Sequence, residues 1–289
     1  MSDQIKIIQL IHELNRRSAR AVVSQLSFRS TAASNYLRAQ FEKLPGEDGS
    51  FLTDPVFEAT FSWQESSKSM EQLKDNLLSD GVLEALSNPP KKPEDLTEYK
   101  FPLDRHPYKH QLTAWETLLS EQRKSVLVSS GTGSGKTECF LVPIIEDLYR
   151  EYEVNQTPLT GVRALFLYPL NALINSQRER LKAWTHGFDG GVRFCLYNGE
   201  TPTKRTKASV MNESPEEVRD RTILREDPSP ILVTNSTMLE YMLVRNDDLP
   251  IVEKSQGKLR WIVLDEAHTY IGSQAAELAL LLRRVIDAF

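Results

Sequence analysis

The chain has 289 residues, 40% hydrophobic and 26% charged, enough to bury a real core in one large domain or two modest ones. Its net charge of −5 excludes a global attraction to nucleic acid or anionic membranes, so any such contact needs a local basic surface. Cys139 and Cys195 lie far apart without metal spacing, which points to a reducing compartment. The opening "MSDQIKIIQLIHEL" lacks the basic region and unbroken apolar run of a signal peptide. No apolar stretch is long enough to cross a bilayer. The expectation is a soluble, cytoplasmic protein with no membrane partner.

In chain order, "IKIIQLIHELNRRSARAVVSQL" places Ile7, Ile8, Ile11, Leu14, Val22 and Leu26 at helical spacing. Further helical patterns follow at "SNYLRAQFEKL" and "SMEQLKDNLLSDGVLEAL". The prolines of "NPPKKPEDL" break any helix and read as a linker. Residues 1–95 are therefore expected to form a mainly helical module with its linker, and residues 96–289 a second domain.

In that second part, short β-rich runs alternate with helical patterns. "SVLVSS", "VRALFLYP", "VRFCLYN", "PILVTN" and "RWIVLDEA" read as strands, separated by stretches such as "ECFLVPIIEDLYREY", "NALINSQRERLKAW" and "AAELALLLRRVI". Near-continuous Val, Ile and Leu suits strands of a parallel sheet covered by helices on both faces. The alternation predicts a doubly wound α/β domain, with ligands at the carboxyl ends of its strands.

Two elements fall at such ends. "SSGTGSGKT" reads as a phosphate cradle running from Ser130 to Thr137. Ser130 occupies the first position, where the general P-loop has glycine. Gly131, Gly133 and Gly135 leave backbone N–H groups free to face phosphate oxygens, with Thr132 and Ser134 between them. Lys136 is suited to neutralising the β- and γ-phosphates, and the Thr137 hydroxyl to binding Mg²⁺. The second element, "WIVLDEAH", ends an apolar run on Asp265 and Glu266. Asp265 stands where a Mg²⁺-holding acid belongs, and Glu266 where a group that activates water belongs. The competing reading makes both acids the first turn of a helix running through "TYIGSQAAELALLL".

These residues resemble the first and second motifs of superfamily 2 helicases, in which Ser commonly replaces the first P-loop glycine. The resemblance extends through "HPYKHQLTAWETL", with Gln111 as the adenine-reading amide, and through "LYPLNALINSQ", "LYNGETP" and "LVTNSTMLEYMLVR". From about Phe51 onward the sequence is similar to large bacterial DEAD/DEAH-type helicases that carry an uncharacterised C-terminal domain, many of them in Druantia-like phage-defence loci. The resemblance implies a RecA-like fold that binds ATP and Mg²⁺. It also implies an ATP-dependent helicase or translocase acting on single-stranded DNA, RNA remaining open, with a defence-system partner. Asn171, Thr234 and Asn235 are then the candidate nucleic-acid contacts, or else the caps of their helices. "PTKRTK" (Lys204, Arg205, Lys207) is either a phosphate-facing loop or a solvated face. His268 would couple nucleotide state to a second lobe, and Cys139 belongs to the core.

In this family the nucleotide lies between two such lobes, the second supplying arginines to the transferred phosphoryl group. The sequence stops at "LLLRRVIDAF" before any motif of that lobe, and Arg283 and Arg284 sit on the helix after the acids. The expectation is a lone first lobe: an excised piece, a truncated gene product or part of a split protein, needing its second lobe in cis or in trans. The alternatives are a non-catalytic remnant working through a partner chain, or a P-loop NTPase without nucleic acid. The second lacks support, since no guanine-reading Asn-Lys-x-Asp is present.

Overall fold

The structure is a computed structural model that describes residues 2–54, 56, 62–92, 94–122, 124–131, 133–204 and 215–289, with backbone alone for residues 2–8. It divides into two units, Met1–Ser62 and Trp63–Phe289.

The first unit holds helices α1 (Ser2–Gln25) and α2 (Thr31–Phe41). Ser30 caps α2 by accepting from the Ala33 N–H, satisfying a first-turn donor with no partner inside the helix. The buried line of α1 is Asn15, Ala19 and Val23, one turn apart, whereas Leu14 and Leu26 stand about half exposed. Ile11 and Val22 of the expected apolar line are half-buried beside this one, so the expectation is met in part. Ile7 and Ile8 lie among the residues whose side chains are not described.

The second unit is built on five parallel strands: β1 (Ala164–Leu167), β2 (Phe194–Leu196), β3 (Glu217–Val218), β4 (Ile231–Thr234) and β5 (Trp261–Leu264). Their order across the sheet is β3-β2-β4-β1-β5. Alternation along each strand feeds two cores, because successive side chains point to opposite faces. Ala164 and Phe166 of β1, Phe194 of β2 and Val233 of β4 join one cluster. Leu165, Leu167, Cys195 and Leu232 join the other.

On the first face pack α3 (Asp80–Ser87), α5 (Lys136–Asn155) and α7 (Arg178–Thr185), through Leu86, Ile144, Leu148, Leu181 and Trp184. On the second pack α8 (Arg221–Glu226), α9 (Ser236–Val244), α10 (Leu249–Glu253) and α11 (Gly272–Ala288), through Leu224, Leu239, Ile251 and Val285. The α/β architecture with both faces covered is the one the Val/Ile/Leu runs implied.

Three features differ from the sequence reading. Met70, Leu73, Leu78, Val82 and Leu96 belong to the same core as Phe166 and Ile144. Residues 63–95 are thus part of the second unit, and the proline-rich stretch near residue 90 joins two segments of one core. The run "SVLVSS" does not form the expected strand: residues 124–130 carry no sheet pairing, and Leu127 is 89% exposed. A cavity of about 830 Å³ separates this run from β5, and both line it. Finally, β3 was not anticipated, because Glu217–Val218 has no apolar run. Glu217 is held there by Arg178 at 2.9 Å and Arg219 at 2.6 Å.

Candidate nucleotide and nucleic-acid site

The glycine-rich turn leads directly into α5, whose first residue is Lys136 and whose N-cap is Gly135 at φ 73°. Gly133 is also left-handed, at φ 76°, a conformation that L side chains adopt only at a cost. A Cβ on Gly135 would in addition collide with the Gln111 amide. Ser130, in the place of the usual first glycine, hydrogen-bonds through its hydroxyl to that of Ser134 at 2.6 Å and ties the two ends of the turn together. Gly131 lies against Trp63, whose ring tip would be 3.1 Å from an added Cβ. Thr132 lies outside the described residues.

Helix α4 (Lys109–Leu118) braces this turn with three side chains. His110 Nε2 donates to the Ser134 carbonyl at 2.9 Å, Gln111 Nε2 to the Gly135 carbonyl at 3.1 Å, and Trp115 Nε1 to the Glu138 carbonyl at 2.8 Å. The Gln111 Oε1 accepts from the Tyr108 N–H at 2.9 Å. Its amide is therefore held at the turn by protein hydrogen bonds, with one donor and one lone pair still uncommitted. Of these residues only Gln111 was singled out from the sequence. His110, Trp115 and Trp63 gave no motif signal beyond being a histidine and two tryptophans near the cradle.

At the carboxyl end of β5, Asp265 and Glu266 leave the sheet in a turn, and α11 begins only at Gly272. The first-turn alternative is thereby corrected: the acids precede the helix. Glu266 adopts a left-handed backbone, φ 49° and ψ 39°, which for a non-glycine residue stores strain of order 1 kcal/mol and is typical of functional turns. The Glu266 N–H donates to Asp265 Oδ1 at 2.8 Å. His268 is largely exposed, its Nδ1 3.3 Å from Glu266 Oε2.

Ser129, Ser130, Lys136, Asp265 and Glu266 line one cavity between the turn and β5. Thr137 is half-buried at the start of α5, behind Lys136. Of the residues named from the sequence, Ser130, Lys136, Asp265 and Glu266 line this cavity, whereas Gly131, Gly133, Gly135 and Thr137 do not; a lysine, a hydroxyl and carboxylates are the donor types that suit a nucleoside triphosphate with Mg²⁺. No group of three or more His, Cys, Asp or Glu that could cage a metal exists among the described residues. Mg²⁺ in nucleotide sites takes one or two carboxylates plus phosphates and waters, so a protein cage is not needed. Cys139 is fully buried on α5, its thiol pushed up to about 12 by burial and then by the Glu138 charge. It is an inert core residue, as the sequence implied.

The three nucleic-acid candidates separate in the structure. Thr234 is completely buried, and its hydroxyl donates to the Tyr197 carbonyl at 2.6 Å. It holds two strands together and offers nothing to a ligand. Asn235 caps α9 by accepting from the Met238 N–H at 2.8 Å, and its Nδ2 donates to Asn171 Oδ1 at 2.8 Å. Asn171 is exposed at the start of α6 (Asn171–Ser176), one residue past the cap Leu170. Capping and ligand contact are thus compatible for Asn235, while Asn171 caps nothing. Arg205 and Lys207 lie outside the described residues. No helix among the described residues is long and apolar enough to cross a membrane.

A parallel sheet, a glycine turn capping a helix that starts with lysine, and a carboxylate ending the edge strand beside it define a RecA-like P-loop domain. A family model described as DEAD/DEAH box helicase matches residues 108–288. The chain belongs to the DEAD/DEAH box helicase family and carries a helicase domain of that type. It is 30% identical to the Druantia protein DruE of Escherichia coli, over 66% of this chain and 15% of that protein. It is 26% identical to the uncharacterized ATP-dependent helicase YprA of Bacillus subtilis, over 62% of this chain and 20% of that one. Among solved structures, Mycobacterium smegmatis helicase Lhr bound to ssDNA and AMP-PNP superposes with a TM-score of 0.46 at 22% identity, covering 62% of this chain and 21% of Lhr. The chain thus spans a fifth or less of the length of these curated relatives.

Proposed function

We propose that the chain is the ATP–Mg²⁺-binding lobe of an ATP-dependent helicase or translocase acting on single-stranded DNA in the cytoplasm. The observation that carries this reading is the convergence of Lys136, Asp265 and Glu266 on one cavity from the two ends of the glycine turn and β5. Lys136 and the turn's backbone N–H groups hold the phosphates. Bound Mg²⁺ supplies charge neutralisation on the phosphate oxygens, with Thr137 and Asp265 as its protein ligands. Glu266 orients and deprotonates the attacking water. Gln111, held at the turn, is the base-reading amide, and Asn171 and Asn235 meet the nucleic-acid backbone at the neighbouring strand ends.

A second reading concerns how much chemistry this lobe performs alone. Arg260 lines the cavity but is tied to Asp147 and Glu151 at the far end of β5, and Arg284 pairs with Glu240 at 3.0 Å. Arg260 is the arginine in the lining of this cavity, and an arginine placed on the transferred phosphoryl group contributes roughly 10³–10⁵ in rate in related phosphoryl transfers. Efficient turnover then depends on a second lobe in cis or in trans, or on a partner chain such as a defence-system component.

Nucleotide binding and turnover, measured with and without single-stranded DNA and alongside Lys136→Ala, test both readings. The proposal expects Lys136-dependent ATP binding with slow turnover. Binding that survives Lys136→Ala unchanged would remove the assigned site. Fast DNA-stimulated turnover by the purified chain would remove the need for a second lobe.

A further inference from the structure

Tyr168 immediately follows β1, and Asp265 immediately follows β5. Leu167 and Leu264 are register partners in the parallel pairing of these strands, so the two side chains leave neighbouring strands at one level and on one face. The backbone secures both: the Tyr168 N–H donates to the Thr234 carbonyl at 3.0 Å, and the Asp265 N–H to the Leu167 carbonyl at 3.2 Å. Tyr168 is 1% exposed and packs in the first-face core with Phe166 and Ile174.

Its hydroxyl nevertheless has no hydrogen-bond partner among the protein atoms. A buried orphaned hydroxyl destabilises the fold, and phenylalanine would fill the same space without that cost. Burial first, and then the Asp265 carboxylate, push the phenol's pKa well above its ordinary value, while Arg180 acts in the opposite direction. The strand register sets this unpaired hydroxyl's residue beside the residue that carries the carboxylate. Asp265 has a use for such a donor. Its Oδ1 already accepts from the Glu266 N–H, and a carboxylate that binds Mg²⁺ through one oxygen needs the other fixed.

We propose that Tyr168 is a positioning residue for the metal-binding acid: its hydroxyl, unpaired in this structure, donates to the neighbouring Asp265 carboxylate once Mg²⁺ is bound and so fixes which oxygen faces the ion. This role rests on the nucleotide-site reading above and adds a residue to it. Tyr168 does not line the cavity, so it acts through Asp265 and touches neither nucleotide nor metal.

The experiment is a Mg²⁺ titration of the binding of a fluorescent ATP analogue to the purified protein, comparing Tyr168→Phe with the unsubstituted chain. The expected result is a rise of about tenfold in the half-saturating Mg²⁺ concentration, the scale of a lost hydrogen bond to a charged group. Affinity in the presence of EDTA should be unchanged and the melting temperature unchanged or higher. Asp265→Asn supplies the second comparison, because adding Tyr168→Phe to it should shift the Mg²⁺ midpoint no further. An unchanged midpoint in Tyr168→Phe, with Mg²⁺-dependent binding intact in the unsubstituted chain, overturns the Tyr168 role alone. A matching loss of affinity in EDTA also overturns it, since that is the mark of a merely structural residue. Absence of Lys136-dependent binding in the unsubstituted chain overturns this role together with the nucleotide-site reading.

Discussion

The side-chain amide of Asn235 donates to Asn171 Oδ1 at 2.8 Å, joining residues 64 positions apart at the carboxyl ends of the neighbouring strands β1 and β4. Asn235 is also the N-cap of α9, whereas the Asn171 amide nitrogen is uncommitted and its side chain exposed. The pair therefore combines one structural and one free asparagine. Asn171→Ala should leave stability within about 0.5 kcal/mol, as for ordinary surface changes, and weaken single-strand binding. Asn235→Ala should weaken binding and also cost about 1 kcal/mol for the lost cap. Urea melts beside fluorescence-anisotropy titrations with a labelled oligonucleotide would separate the two effects. Equal destabilisation by both substitutions would contradict the assignment.

Glu266 combines a proposed role in water activation with a left-handed backbone. Glu266→Gln should keep ATP affinity within about twofold while lowering turnover by at least the roughly 10²-fold expected for loss of a positioned base. Glu266→Gly should lose turnover equally but match or exceed the parent in stability by up to about 1 kcal/mol, because glycine relieves the strain. Calorimetric melting of both variants checks this. A marked fall in melting temperature for the glycine variant would mean that the side chain is structural.

Gln111 and Gly135 form a second linked pair, through a 3.1 Å bond from the amide to the carbonyl of Gly135, the N-cap residue of α5. Gln111→Ala removes that bond and the one to the Tyr108 N–H, and should cost about 1–3 kcal/mol while loosening the phosphate turn. Stability and nucleotide affinity should fall together. Gly135→Ala should be worse than Gln111→Ala, since it forces a Cβ into the Gln111 amide at a positive φ. Retained affinity in Gly135→Ala, measured by calorimetric titration, would show that the turn does not hold phosphate as described.

Acid sensitivity should have one identifiable source at the far end of β5. Burial alone would raise the Glu151 carboxyl, but hydrogen bonds from Arg163 and Arg260 hold it below its ordinary value of 4.5. A depressed native value contributes stability above the unfolded value, and that contribution is lost as pH falls through the native one. Glu151→Gln should therefore cost about 2 kcal/mol at pH 7, the scale of hydrogen bonds to charged groups. The difference from the parent should shrink as the pH is lowered below about 4. Denaturant titrations at both pH values decide the matter, and a gap that widens on acidification would reverse the sign.

Much of this protein is legible along the chain because its signals are local. A run of β-branched and aliphatic residues is apolar on both faces wherever it sits, so β1, β2, β4 and β5 could be placed from "ALFL", "FCL", "ILVT" and "WIVL". A glycine turn ending in Lys136 is legible in its glycines, and Asp265–Glu266 stand out by ending an apolar run. Tertiary structure decided what depends on distant partners. "SVLV" has strand composition, yet a strand needs a paired neighbour, and the cavity beside β5 leaves residues 124–130 without one. Thr234 reads as a polar contact residue until the Tyr197 carbonyl claims its hydroxyl. The bracing of the turn by His110 and Trp115, and the placement of Tyr168 beside Asp265, arise from a helix and a strand register that no local pattern encodes. Composition and periodicity settle which segments are buried and which turns are glycine-dependent, because those are properties of the residues themselves. Which polar atoms are satisfied, and by what, is settled only when segments far apart in sequence are brought within hydrogen-bonding distance.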